Sequence, residues 1–413
     1  MVDFQSRKVQ HTSPIYLIPS DIAFHIFDYC LPQEEFPRPS IRSAPLQLSL
    51  VCQSWRKWVI ATPWLWRKIL LCTREFESPE GGRMSIPESS LDAMALEVWM
   101  KRASALTMSV QIRYTIAASV PHTTHILETD SPRVFRVIVE NPTRWKDLRL
   151  CLPSADLYWG CTVIQRNVPN LELFEVNDAS IPAFNETPVR LDPRVAGTLC
   201  TLLIHASVTY KHPDASCTPF VRLRTLSVKH TYPWECLHLL KYCPVLEDLS
   251  LHFHDLTEKA IPFVYPTITL PSLQNFYLAH TGTLENGGSV YPQTPYDVEI
   301  GQLLDHLNLP NLRGFYLWMA VQGFARYSSD YYSDELEWDY LSRLITRSNC
   351  SLSKLELRSP YLDTTSIMNS LRLSPHLSYL GIPADEDLER DIPQMFPNLD
   401  SLRIFNEDTG SND

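Results

Sequence analysis

The chain has 413 residues, of which 44% are hydrophobic and 20% charged, and its formal net charge is −11. This is the composition of a globular protein too long for one compact core, and it argues against wholesale disorder. The acidic balance lacks the clustered Lys and Arg that a phosphate backbone or an anionic membrane surface requires, so the expected partner is a protein, with no nucleic acid and no membrane.

Met1 to Lys8 lead into no apolar signal segment, and no uncharged apolar run approaches the length of a bilayer span. These features predict a cytoplasmic or nuclear protein with a flexible start over residues 1–13. In that reducing setting the ten cysteines, none in a CxxC pair, read as free thiols. Twelve glycines, against roughly 29 at average usage, leave little material for the turns that cradle nucleotide phosphates.

Residues 14–71 carry a helical pattern. Pro19-Ser20-Asp21 can open a helix with Ser20 as N-cap and Asp21 in the first turn, and Ile22, Ile26, Phe27 and Cys30 then share a face. After a polar, proline-bearing loop at 33–45, Leu48, Val51, Cys52, Trp55 and Val59 have the spacing of one helical stripe. Thr62-Pro63 offers an N-cap and an N1 proline for a third, short helix through Trp66. So small an all-α module, carrying Trp55, Trp58, Trp64 and Trp66, is marginal alone and is expected to pack on a partner and on the rest of the chain.

Residues 72–87 read as a linker. A helix is predicted over Leu91 to Ala103, followed by a period-two strand over Leu106 to Ile112, so a second domain is placed at 88–405. Within it an apolar-x-x-apolar-x-apolar unit recurs, from Trp145/Leu148/Leu150 and Leu171/Phe174/Val176 through Leu199/Leu202/Ile204, Leu223/Leu226/Val228 and Leu246/Leu249/Leu251. It continues in Leu273/Phe276/Leu278, Leu312/Phe315/Leu317, Leu352/Leu355/Leu357, Leu377/Leu380/Ile382 and Leu399/Leu402/Ile404. Most intervals fall in the range of about 20–29 residues typical of leucine-rich repeats. The two long ones, before Leu312 and before Leu352, mark insertions at 281–297 and 323–338.

Several units open with Pro-x-Leu, as in Pro271-Ser272-Leu273 and Pro310-Asn311-Leu312. Proline cannot continue a preceding helix, so it hands the chain over to a short strand. Segments such as 236–242, 301–307 and 339–345 have helical apolar spacing. The predicted fold class is therefore α/β: an N-terminal all-α three-helix module, then a leucine-rich-repeat-like solenoid, a curved parallel sheet with helices on its convex side. A mixed α/β domain is the alternative, but it has no need of prolines at repeated offsets.

Side chains flanking the core positions of each strand point to the opposite face. They include Glu175, Asn177, His205, Lys229, Glu356, Arg358, Arg403 and Phe405, and the expected client-binding set among them is His252, Tyr277, Tyr316 and Trp318. These form a candidate aromatic ladder on consecutive strands, rich in the residue types that bury area at low entropic cost. The 281–297 insertion reads as flexible, the 323–338 insertion as an acidic-aromatic loop, and 406–413 as a disordered acidic tail.

His122/His125 and His252/His254 are the only tight histidine pairs, and neither has the company that metal ligation needs. No GxSxG elbow, Walker loop or HExxH is present. The expectation is no enzyme, no catalytic residue, no metal and no cofactor.

Ile18-Pro19-Ser20-Asp21-Ile22 with Ile26-Phe27, then Leu50-Val51-Cys52-Gln53-Ser54-Trp55-Arg56, then Thr62-Pro63-Trp64-Leu65-Trp66, resemble the F-box motif in the form common in mushroom-type (basidiomycete) fungi, with Ile18 where Leu is usual. That resemblance implies docking on the Skp adaptor, and through it on cullin and RING subunits, by Pro19, Ile22, Ile26, Leu50, Val51, Cys52 and Trp55. It implies the substrate-recognition subunit of an SCF-type E3 ubiquitin ligase, with the repeats holding an unknown client protein. A Skp-bound repeat scaffold without a role in degradation and an enzyme built on a solenoid are the competing readings.

Overall fold

The structure, a computed structural model, describes residues 18–77, 83–86, 89–114, 131–164, 168–178, 197–207, 220–230, 233–253, 265–283, 296–322, 339–358 and 362–405. The chain divides into two compact units, residues 1–148 and 149–413.

The first unit runs α1 (Ser20–Cys30), a 3-10 turn (Gln47–Leu50), α2 (Gln53–Ala61), a second 3-10 turn (Pro63–Trp66) and β1 (Lys68–Cys72). A hairpin, β2 (Arg74–Glu77) with β3 (Arg83–Ile86), leads to α3 (Ser89–Arg102), β4 (Met108–Arg113), α4 (Ser131–Glu140), a turn at Pro142–Arg144 and β5 (Trp145–Leu152), within which the division falls. In the sheet the order is β1, β4, β5, and β1 runs parallel to β4 with Ile69 opposite Val110.

Tryptophans organise this unit. Phe27 of α1 and Trp55 of α2 meet edge to face at 5.0 Å. Trp66 is fully buried, meets Trp99 of α3 edge to face at 4.8 Å and carries the Arg102 guanidinium 4.2 Å above its ring. Its indole N–H donates to the Val59 carbonyl at 2.9 Å, and Trp145 donates in the same way to Ile138 at 2.7 Å. Each indole thus satisfies a carbonyl in the last turn of the preceding helix, seven residues back, while its ring fills the core. Pro63-x-x-Trp66-x-x-Ile69-x-Leu71 and Pro142-x-x-Trp145-x-x-Leu148-x-Leu150 are two copies of one local sequence. The repeat therefore begins at Trp66, inside the segment whose sequence reads as purely helical.

The second unit adds α5 (Ser154–Ile164), β6 (Leu173–Asp178), β7 (Thr201–Ser207), β8 (Thr225–His230), α6 (Pro233–Leu240), β9 (Asp248–Phe253), β10 (Ile268–Thr269) and β11 (Asn275–Thr283). There follow α7 (Tyr296–Asp305), β12 (Leu307–Asn308), β13 (Gly314–Gln322), α8 (Tyr340–Ser348), β14 (Lys354–Arg358), α9 (Thr364–Arg372), β15 (Tyr379–Pro383), α10 (Glu386–Met395) and β16 (Ser401–Phe405). The sheet order is β5-β6-β7-β8-β9-β11-β13-β14-β15-β16, with β10 and β12 paired apart. Every neighbouring pair from β6 onward is parallel. The fold class is α/β, with parallel strands stacked in chain order.

All three core positions of the first nine sequence units are no more than 4% exposed. Leu402 and Ile404 of the tenth are exposed, because β16 is the edge strand.

Local details depart from the sequence reading. Ser20 is the first residue of α1 rather than its cap, and Pro19 occupies the cap position without a side-chain bond. The single stripe over 48–59 is two pieces: Cys52 is extended (φ −160°), its sulfur accepts from the Trp55 N–H at 3.4 Å, and the break turns Val51 outward. Thr62 precedes Pro63, yet its hydroxyl bonds back to the Trp58 carbonyl at 2.6 Å. Within 72–87, β2 and β3 pair as a hairpin. At the first insertion β11 continues to Thr283 and α7 begins at Tyr296. Residues 1–13, 284–295, 323–338 and 406–413, and the histidines His122, His125 and His254, lie outside the described residues.

Gly301 of α7 is buried against the ring of Tyr340 on α8, where a Cβ would overlap the ring carbons. Gly301→Ala is therefore expected to lower stability by about 1–3 kcal/mol through overpacking, although Ala is the better helix former. A lowered urea midpoint would show it, and a raised midpoint would contradict this packing.

Candidate functional site

Parallel register lines up the strand-face side chains into rows. One row reads Ser250, Tyr277, Tyr316, Glu356, Gly381, Arg403 across β9 to β16. The next carries His252, Ala279, Trp318 and Arg358, with Phe405 two residues beyond Arg403 on β16. Tyr277 and Tyr316 stack at 4.3 Å with an interplanar angle of 8°. Tyr277 is 42% exposed and Trp318 44%, whereas Tyr316 is half-buried.

The expected ladder of His252, Tyr277, Tyr316 and Trp318 is thus split over two rows, with Ala279 between His252 and Trp318. His252 belongs instead with a histidine group. Its Nε2 lies 2.9 Å from the Ser250 hydroxyl, and its ring meets that of His205 edge to face at 6.0 Å. The register between β7 and β8 shifts between Ile204 and Ser207, next to His205. Burial holds the His205 imidazole below its usual pKa; Glu175 opposes that shift and Lys229 adds to it.

Beyond Trp318 the face is built by side chains that aromatic spacing did not single out. The Glu356 carboxylate accepts from the Tyr379 hydroxyl at 2.5 Å and pairs with Arg358 Nε at 2.7 Å. The Arg358 guanidinium lies 4.0 Å over the Phe405 ring and 6.0 Å from that of Trp318, and Arg403 lies 5.1 Å over Phe405 from its own strand. Gly381 permits this crowding, since a Cβ there would come within 2.9 Å of both Glu356 Cγ and a Phe405 ring carbon. Burial raises the pKa of the Tyr316 and Tyr379 phenols, helped by Tyr277 at Tyr316 and by the bond to Glu356 at Tyr379, so both remain hydrogen-bond donors at neutral pH. The signal for these partners was register: Glu356 sits opposite Tyr316, and Gly381 opposite Glu356.

In the first unit, Ile22, Leu50 and Val51 are 52%, 53% and 49% exposed, and Pro19 is also exposed. Ile26 and Cys52 are half-buried. Trp55 is only 7% exposed, turned inward on Phe27, so in this structure it supports the module rather than facing a partner. Tyr29, Ile41 and Ile60 are exposed apolar residues that the helical stripes did not pick out.

Among the described residues, no three His, Cys, Asp or Glu side chains are grouped to hold a metal ion, and no helix is long and apolar enough to cross a membrane. The described cysteines are free thiols. Burial pushes Cys161 and Cys243 up to about 12, and at that pKa they act as small apolar side chains. No protein-family model matches the sequence, and no curated protein matches it.

The Tyr379–Glu356 bond is expected to contribute about 1.5–3 kcal/mol, since it joins a phenol to a largely buried carboxylate. A double-mutant cycle of Tyr379→Phe and Glu356→Ala, read from denaturation midpoints, measures that coupling; a value near zero would mean the pair is not held as described.

Proposed function

We propose that the chain is the substrate-recognition subunit of an SCF-type cullin–RING ubiquitin ligase. Its N-terminal helices act as an F-box that docks on the Skp adaptor, and its parallel stack, a leucine-rich-repeat-like solenoid, holds a client protein on the strand face. On this reading the protein works in the cytosol or nucleus, uses no cofactor, and leaves ubiquitin transfer to the other subunits.

The observation that carries the reading is the exposed apolar surface of the N-terminal segment, at the positions that match the motif. Ile22 on α1, Leu50 at the end of the 3-10 turn and Val51 just after it stand about half exposed, while the interior is already filled by Phe27, Trp55 and Trp66. Such side chains do not serve the fold, and a docked partner would bury them. The client half is supported by Tyr277 and Trp318, exposed on rigid strands where binding immobilises little.

Co-expression of the full chain with the Skp adaptor is expected to give a stable complex. Ile22→Asp with Val51→Asp removes about 3 kcal/mol of apolar burial from that interface, roughly a hundredfold in affinity. Because both residues are exposed, the melting temperature should change little. A wild-type chain that fails to retain the adaptor, or a double variant that retains it at full strength, would remove the docking assignment.

A further inference from the structure

The strand face carries an uneven distribution of charge. On β13 to β16, Glu356 is the one carboxylate of the two rows among the described residues, and Tyr379 and Arg358 already engage it. Against it stand two guanidiniums. Arg358 lies over Phe405 near Trp318, with Nε turned to Glu356, and no partner for its terminal nitrogens is present among the described residues. Arg403 is exposed and makes no ion pair among the described residues. Among the described residues the patch is therefore cationic, on a chain of net charge −11, and its arginines are oriented by ring stacking.

A cationic ligand side chain would meet two guanidiniums and a largely buried carboxylate whose two oxygens already engage Tyr379 and Arg358. An anionic one would meet a planar donor edge and a second arginine that makes no ion pair among the described residues. Next to them, Trp318 and Tyr277 present apolar ring area. The five strands from β11 to β16 in the sheet span about 19 Å at the ordinary inter-strand spacing, the length of five or six extended residues.

We infer that this face binds an extended peptide segment in which an anionic side chain lies two or three residues from an aromatic or aliphatic one. Arg358 and Arg403 take the anion, and Trp318 and Tyr277 take the apolar side chain. The inference rests on the client-holding half of the proposed function. Its anion is a carboxylate of Asp or Glu or a phosphoryl group.

The test uses the full chain and immobilised degenerate decapeptide pools with a fixed Phe and, two residues on, Glu, phosphoserine, Gln or Lys. The Glu or phosphoserine pools should be retained at least tenfold over the Gln and Lys pools. Arg358→Gln and Arg403→Gln should each bring that ratio below threefold, while Trp318→Ala lowers retention of every pool. Phosphoserine well above Glu assigns the anion to a modified client, and parity assigns it to an acidic one. Retention indifferent to charge, preference for Lys, no retention at all, or unchanged selectivity in folded arginine variants would overturn the inference. If Arg358→Gln does not fold, Arg403→Gln decides, since its side chain is exposed. Adaptor retention by the same preparations separates the two ideas. Loss of the adaptor with anion selectivity intact removes the ligase reading alone, and the converse removes only this inference.

Discussion

One backbone carbonyl per repeat holds the second unit in register. The residue after the first core position of each strand accepts two N–H groups from the next repeat: Gln274 from Arg313 and Gly314 at 2.8 and 2.9 Å, Arg313 from Ser353 and Lys354 at 2.8 and 2.9 Å, and Ser353 from Ser378 and Tyr379. The same link runs from Glu172 through Cys200, Arg224 and Glu247. A sheet carbonyl left unpaired is costly, so each new repeat enters at the same place whatever the length of chain before it. Long excursions before Leu312 and Leu352 therefore leave the stack intact, with Phe276 facing Phe315 and Phe315 facing Leu355.

That ladder dictates the rest by parity. Once the core positions are aligned, the alternate residues form straight rows on the other face, and neighbours in a row come from segments 22 to 40 residues apart in the chain. The Tyr277–Tyr316 stack and the Tyr379–Glu356–Arg358 chain are products of this alignment. Because the side chains stand on strands and brace one another, a ligand would find them already oriented, which is the condition for aromatic and guanidinium groups to act as anchors.

The first unit solves a different problem with the same local sequence. Trp66 and Trp145 each close a helix end through an indole bond and start a strand with the ring buried. Here Trp66 ties the end of α2 to the start of β1, and Phe27 against Trp55 holds α1 on α2. The same residues that complete the core leave Ile22, Leu50 and Val51 outside it, and apolar surface of this kind carries a hydration cost.

The sequence by itself determined the repeats. Triads such as Leu246/Leu249/Leu251 and Leu312/Phe315/Leu317 are buried as their spacing demanded, since burial of an apolar triad in a short strand is a local property of composition and period. It also exposed the helical pattern of the N-terminal segment, although the triad Trp66/Ile69/Leu71 was hidden there because Pro63 and two tryptophans read equally well as a helix start. Tertiary structure alone decided where Cys52 breaks the second stripe, that Trp55 turns inward, and that Glu356, Arg358, Tyr379, Gly381 and Phe405 converge. Those outcomes depend on which strands become neighbours and on how much room each leaves, and separation along a chain carries neither quantity.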